Sequence, residues 1–431
     1  MIRRMSWLSL VAVTVIVVVP SVSWSSGFAL FEVGGRAGAM SGAMTAVADD
    51  PSALFWNPAG MAFQTDDGVQ LMFGASGIWP TQTFYGESPY PGEGYTADQV
   101  EQTFIIPHVM LGIPVNKRLE VSFSVMAPFG LGTEWDDDFL GRYISKKADL
   151  MVIDLGGSMA YQLSDSFAFG IGVDYMMTSI ELIKDVGLIN PFDQQLTNVA
   201  QADLKSTGTN AAWAWNAGIL WKLGGGFSLG ANYRSDFTVN GNGEGYFTQY
   251  STGYPEFDAA VGALIPFDQD LPLTAEIAFP DFWNVGLAWQ NEKWTFSAQY
   301  GVMGWSSYQE LPITFPENPE FSTVLEEGWE DAAQYRFGME YRASANWAFQ
   351  LGALYDETPQ PIDVMSPLLA DGDRTGYTAG LSYFTSKFRF NLGVEDLDID
   401  TRSTDGTSID GFNGTYVSDA WLVHTSFLIR F

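Results

Sequence analysis

Residues 419–431 alternate between two kinds of side chain. The odd positions, Trp421, Val423, Thr425, Phe427, Ile429 and Phe431, are mostly apolar or aromatic. The even positions, Ala420, Leu422, His424, Ser426, Leu428 and Arg430, are mixed and carry the only charge after Asp419. A strand turns successive side chains to opposite faces, so the pattern predicts a strand with one greasy face and one wetter face. The same period recurs in Phe167, Phe169, Ile171, Val173 and Tyr175, in Trp347, Phe349, Leu351, Ala353 and Tyr355, and in Tyr335, Phe337, Met339 and Tyr341. Asp154, Asp174, Arg234, Arg336, Glu340, Arg342, Arg389 and Glu395 fall on the opposite faces.

Two kinds of connection separate these runs. Short ones contain Asn116-Lys117-Arg118, Ser164-Asp165-Ser166, Gly224-Gly225-Gly226, Asn291-Glu292-Lys293, Ser344-Ala345-Asn346 and Ser386-Lys387. Long polar ones cover 82–101, 136–147, 194–206, 241–272 and 358–373. Six short turns alternating with long loops imply about 14 strands, at 67–79, 102–115, 119–129, 148–163, 166–183, 207–222, 226–240, 273–290, 294–310, 333–343, 347–357, 374–384, 388–400 and 416–431.

Alternation alone does not separate a membrane barrel from a soluble sandwich; the start and composition of the chain do. Arg3 and Arg4, an apolar run from Trp7 to Pro20, and Ser23-Trp24-Ser25 read as a secretion signal cut after Ser25. Aromatics make up 15% of the chain while mean hydropathy is only +0.02, as expected when the membrane signature is spread over alternate residues. Trp135, Tyr90 and Tyr143, near strand ends, suit the lipid–water boundary. Residues 26–66 are rich in Gly and Ala with little alternation, as a compact plug would be. The expected architecture is therefore all-β: a signal (1–25), an N-terminal hatch inside the lumen (26–66) and a transmembrane antiparallel β-barrel (67–431), in the outer membrane of a Gram-negative bacterium. The C-terminal Phe431 would address it to the barrel assembly machinery, and a monomer is the default.

The 20 basic and 51 acidic residues give a net charge of −31, and loss of Arg3 and Arg4 makes the mature chain more negative still. Such a surface excludes nucleic acid as a partner. Its acids read as solvated loops, or as sites where divalent cations bridge to outer-membrane lipopolysaccharide. With no cysteine there are no disulfides or thiolate centres. Two isolated histidines, His108 and His424, form no metal-ligand pair, and no cofactor is implied. His424 with Ser426 leaves a lipid hydrolase open, against a hydrogen-bonded lumenal histidine.

The strand at 119–126 alternates cleanly and then meets Pro128-Phe129-Gly130. Proline removes a ladder donor and glycine permits a bend, so the segment is either a break in the wall or a strand running into a loop. In order along the chain come Ser26-Gly27-Phe28, Gly38 to Ala48-Asp49-Asp50, Asn57-Pro58-Ala59, Pro128-Phe129-Gly130-Leu131 with Thr133-Glu134-Trp135, Trp215-Asn216-Ala217-Gly218, Tyr233-Arg234-Ser235, Trp305-Ser306, Tyr335-Arg336, and Tyr355-Asp356 with Thr358-Pro359. This set resembles the FadL/TodX family of outer-membrane channels for hydrophobic compounds. The resemblance implies a 14-stranded barrel with a hatch, passive uptake of long-chain fatty acids or hydrocarbons, and a lateral opening near Pro128, Phe129 and Gly130 beside a gating segment Asn57, Pro58 and Ala59. Basic residues of the fatty-acid members match locally to Ser179 and Glu330, neither of them basic, which keeps an aromatic-hydrocarbon channel open. A general porin remains an alternative of another class. Parity and position make Phe28, Leu30, His108, Arg234, Arg336 and His424 the candidate ligand contacts.

Overall fold

A computed structural model describes residues 27–65 and 68–431; the signal, Ser26, Asp66 and Asp67 lie outside the described residues. Fourteen antiparallel strands close into a barrel. They are β1 (Gln70–Gly86), β2 (Phe104–Asn116), β3 (Leu119–Glu134), β4 (Lys147–Ser164), β5 (Phe167–Ile189), β6 (Asn210–Gly224), β7 (Phe227–Arg234), β8 (Phe282–Gln290), β9 (Trp294–Met303), β10 (Ala332–Arg342), β11 (Trp347–Asp356), β12 (Arg374–Phe384), β13 (Phe388–Ser403) and β14 (Gly414–Arg430). Each pairs with the next, and β14 returns to β1 from Arg430 opposite Gln70 to Gly414 opposite Gly86. Both chain ends of the barrel lie at one rim, where Phe431 N–H donates to Val69 C=O at 3.0 Å. All six short turns predicted from the sequence join paired strands at that same rim.

Closure satisfies the backbone inside a bilayer, where water cannot. The outer face then supplies the membrane contact. Trp215 touches Tyr233, Trp283 touches Tyr300, and Tyr300, Tyr335 and Tyr355 continue the belt, with ring centroids 5.1–6.3 Å apart. At the opposite end of the same strands Trp294 meets Tyr341 at 4.4 Å and Trp347 meets Tyr383 at 4.9 Å. Two aromatic girdles with Phe337, Phe349 and Leu351 exposed between them are what a lipid-facing band requires. The charged residues read as inward are buried, except Arg389, which is half-buried, and Arg342, which sits exposed at the end of β10.

Several elements differ from the sequence reading. The spans 226–240 and 273–290 are each broken, at Ser235-Asp236 and at Pro280-Asp281, and the span 294–310 stops at Met303. The upper pieces, Phe237–Gln249 and Asp270–Phe279, pair with one another and, through Leu196–Ser206, with the top of β5. They form a rim sheet above the barrel, extended by Glu310–Thr314 and Thr323–Glu326. Three of the stretches expected as loops contain strands: 194–206 and 241–272 in this rim sheet, the second also with a helix, Pro255–Leu264, and 82–101, where Thr96–Asp98 pairs with the end of β1. Trp135 is not at the lipid boundary: it is buried, stacked on Phe139 at 4.4 Å in an outer-loop cluster with Phe84 and Phe412.

Residues 27–65 fill the lumen with little regular structure: Gly35–Ala39, Ala53–Trp56 and a 3-10 turn at Pro58–Phe63. If the girdles mark the membrane, Leu351→Arg, midway between them, should cost about 2–4 kcal/mol of unfolding free energy and Trp347→Arg only about 0–1 kcal/mol. Denaturant titration followed by the gel mobility of the folded barrel checks this.

Candidate functional site

The N-terminal segment is bound to the lumen wall by polar contacts. Arg36 pairs with Glu340 on β10 (Nε to Oε2, 2.7 Å) and with Asp49. Thr45 donates to Gln299 at 2.7 Å, Gly35 N–H to Ser426 Oγ at 3.1 Å, and Thr378 Oγ1 to the Ala39 carbonyl at 2.9 Å. The candidate polar contacts belong to this network. Arg336 pairs with Asp356 at 2.6 Å and donates to the Ser41 carbonyl. Arg234 lies 3.3 Å from both Asp154 and Asp174 and donates to the Leu54 carbonyl at 2.9 Å. His424 sits between Ser76 Oγ (2.9 Å) and Glu395 (3.1 Å), with Gly38 packed so closely on its ring that an added Cβ would come within 2.5 Å. His108 is fully enclosed beside Gly74. The Ser76–His424–Glu395 row resembles a hydrolase triad, but Ser76 donates its proton to the Glu32 carbonyl at 2.8 Å, so the hydroxyl is held by the hatch segment.

Asn57, Pro58 and Ala59 also bind the wall, though not where the resemblance placed them. Asn57 Nδ2 donates to the Ile219 carbonyl of β6 at 2.9 Å and to Thr45 at 2.7 Å. The turn rests on Gly170 and Gly218, where a Cβ would fall 2.2 Å from Asn57 Oδ1 at Gly218. The stretch beside Pro128 is instead Phe28 to Leu30.

At that point the wall is interrupted. β2 and β3 pair from Asn116 opposite Leu119 up to Val109 opposite Val125, and no further. Above, Phe104 to His108 stay paired with β1 only, while β3 shifts register between Met126 and Phe129 and continues along β4 only. Residues 126–133 are buried on both faces, so β3 has turned inward, away from lipid. The N-terminal segment takes the vacated edge: Leu30 N–H donates to the Pro128 carbonyl and Gly130 N–H to the Phe28 carbonyl, both at 2.8 Å. Leu30 lies with Phe104, Ile106 and Ala127 in an apolar cluster across the interruption.

Behind this lies a chain of apolar cavities. The outermost is walled by Phe247, Ile265, Phe315 and Phe321 of the rim sheet, with Tyr143 and Lys184. It shares Leu204 with a middle cavity, lined by Ile180, Leu182, Val239, Leu273 and Ile313. Ile180, Leu182, Ile277 and Leu311 line both that cavity and a third, which ends on Phe28, Leu131 and Tyr308. Phe28 closes the inner end inside a ring of Phe129, Phe279, Trp305, Tyr308 and Trp329, with centroids 4.5–6.3 Å away.

Ser179 and Glu330, the matched positions for a basic pocket, both point outward and are exposed. Their neighbours face the track. Glu327 lines its inner cavity, buried, accepting from Trp329 Nε1 at 3.0 Å. Burial raises its carboxyl from the ordinary range to about 8, against those hydrogen bonds. Lys184, on the inward parity of β5, lines the rim cavity and makes no hydrogen bond or ion pair among the described residues; Asp410 supplies its counter-charge. Neither was singled out from the sequence; the β5 parity, extended five residues past Ser179, would have found Lys184.

The family model described as outer membrane protein transport protein (OMPP1/FadL/TodX) matches residues 16–431. The long-chain fatty acid transport protein of Escherichia coli O6:H1 (strain CFT073) is 28% identical, over 96% of this chain and 97% of its own. In fold, the chain is similar to a Pseudomonas aeruginosa FadL homologue (TM-score 0.81, 20% identity, 94% of this chain and 100% of that one) and to the P. putida toluene transporter TodX (TM-score 0.71, 18% identity, 92% and 98%). These relatives are transport proteins and not enzymes. With the family model spanning the whole barrel, the chain belongs to the OMPP1/FadL/TodX family of transport proteins of the Gram-negative outer membrane.

Proposed function

We propose that the protein carries hydrophobic solutes passively from the outer surface into the bilayer, along the three cavities and out sideways between β2 and β3. The observation that carries this reading is the continuity of the apolar lining: Leu204 joins the first cavity to the second, Ile180, Leu182, Ile277 and Leu311 join the second to the third, and Leu30 stands in the wall interruption beyond Phe28. A solute on this route never meets bulk water or the charged half of the lumen. Phe28 and Leu30 are then the gate, because they fill the last cavity and the vacated β3 edge; the anchored Asn57-Pro58-Ala59 turn is a fulcrum against β5 and β6. Rebuilding Pro128-Phe129-Gly130 as a regular alternating trio should restore the β2–β3 ladder and abolish uptake while the barrel still folds. Normal uptake of a labelled hydrocarbon by cells carrying that folded variant, and lacking their own channel, would contradict lateral exit.

The charges along the route favour a long-chain fatty acid as one substrate, alongside neutral hydrocarbons. Lys184 offers a cation where an incoming carboxylate first meets the apolar groove, and a buried carboxylate needs such a partner. Lys184→Met should weaken oleate binding and leave toluene binding unchanged, as isothermal titration would show.

Deeper in, Glu327 is neutral below about pH 8 and gains a negative charge as pH rises through that value. The folded site favours the protonated form, so its contribution to stability is lost progressively as pH rises from about 4.5 to about 8, and above about 8 the folded site itself carries the charge. Fatty-acid binding should therefore fall between pH 7 and 9, hydrocarbon binding should not, and Glu327→Gln should remove the fall. Infrared spectroscopy should find a protonated-carboxyl band, absent in the variant, that disappears over the same interval.

A further inference from the structure

The β2–β3 interruption has a counterpart on the other side of the middle cavity. β6 and β7 pair from Gly224 opposite Phe227 up to Asn216 opposite Arg234. Pairing across this part of the wall resumes only at Ser206 opposite Gly243, between the rim strands Leu196–Ser206 and Phe237–Gln249. In between, β6 stays on β5 as far as Asn210, and Phe237–Gln249 stays on Asp270–Phe279. Residues 211–214 and 236–241 face each other with no strand pairing among the described residues. The break arises at Ser235-Asp236, where the inward parity switches from even at Arg234 to odd at Phe237 and Val239.

The slot is bounded by two backbone bonds, Ser235 N–H to the Trp215 carbonyl and Thr207 N–H to the Asn242 carbonyl, both at 2.9 Å, and side chains reinforce each end. Ser235 Oγ accepts from Trp215 N–H at 3.0 Å at the lower end. At the upper end Asn210 imitates a peptide unit: its Oδ1 accepts from Asn242 N–H and its Nδ2 donates to the Asn242 carbonyl, both at 3.0 Å. Asp236 is the only charge among the facing residues, the rest being Ala211 to Ala214 and Phe237 to Gly241. Asn210, Gly241, Asn242 and Val239 themselves line the middle cavity. On the outside stand Trp213 and Trp215, 70% and 51% exposed, at the level of the upper aromatic girdle. Tryptophan seeks the lipid–water boundary, which places the slot at the outer-leaflet interface.

We propose that the slot between β6 and the rim strand Phe237–Gln249 is a second lateral opening, through which hydrophobic solute already dissolved in the outer leaflet enters the middle cavity. The inference rests on the cavities being a solute path. It adds a lipid-phase mouth upstream of Phe28, distinct from the water-facing rim groove. Ala211 and Ala214 give the slot little bulk to displace, and opening it breaks the Asn210–Asn242 bonds without breaking any ladder.

The chain has no cysteine, so paired thiols can clamp the slot cleanly. Ala211→Cys with Asn240→Cys, joined by a short cleavable bifunctional thiol reagent, closes it from outside; Ala212→Cys with Val239→Cys does so from the lumen. Pro107→Cys with Ala127→Cys clamps the β2–β3 interruption for comparison. The proteins are placed in phosphatidylcholine nanodiscs containing a diazirine-bearing alkane, and photolabelling of Leu273, Ile277 and Leu311 is mapped by mass spectrometry. Gel mobility of the folded barrel confirms that each variant has folded. Clamping the slot should lower cavity labelling several-fold, cleaving the reagent should restore it, and clamping β2–β3 should leave it in place. Undiminished labelling with the slot clamped overturns the second opening alone. Absence of cavity labelling from the unclamped protein overturns the solute path itself.

Discussion

Hydrocarbon offers the backbone no hydrogen-bond partner, and every other feature of this molecule is arranged around that fact. The barrel closes because an open edge in lipid would leave a row of unpaired N–H and C=O groups, each costing several kcal/mol. It follows that a stretch where neighbouring strands stop pairing carries information. At β2–β3 the wall folds inward, and the N-terminal stretch from Phe28 to Leu30 pairs with the freed edge of β3. At β6 the lapse lies by the outer aromatic girdle, and an asparagine side chain stands in for a peptide. In both places hydrogen bonds from outside the strand ladder take its place.

The lumen obeys a second division. Arg36, Arg336 and Arg374 with their carboxylate partners gather where the hatch meets β10 to β14. Buried pairs of this kind add little net stability, yet removing one partner is costly, roughly 3–5 kcal/mol. They therefore fix where the N-terminal segment sits. A second cluster, Arg234 with Asp154 and Asp174, holds the segment on β4, β5 and β7. The apolar cavities lie above it, against the upper parts of β3 to β5 and the rim sheet, so the segment is anchored while its first residues, Phe28 and Leu30, border the cavities and the wall interruption.

Much of the barrel was legible in the sequence because a two-residue period and a turn are local properties. The six short turns, the 14 strands and the facing of Phe349 or Glu395 follow from them. The rim sheet was not legible: Leu196–Ser206 is polar and bordered by loop-like sequence, and its strand character comes from lying against the top of β5. The bends at Ser235-Asp236 and Pro280 were also missed, although a proline inside a run is the ordinary sign of one. Among site residues, Phe28 and Pro128 lie together, where the β2–β3 ladder stops. Arg234, Arg336 and His424 were correctly placed inward, but parity cannot tell a ligand contact from an anchor for a segment folded back from hundreds of residues away. Trp135 failed for a related reason, since a tryptophan near a strand end suits an aromatic loop cluster as well as a membrane boundary.

The central claim is that solute occupies the apolar side of the lumen and stops at Phe28. A crystal structure of the protein soaked with a bromine-tipped alkane tests it most directly, because the anomalous signal of bromine locates the ligand independently of the fitted chain. The account predicts bromine among Ile180, Leu182, Ile277 and Leu311, above Phe28. Bromine between Arg336, Glu395 and His424, on the charged side, would contradict it.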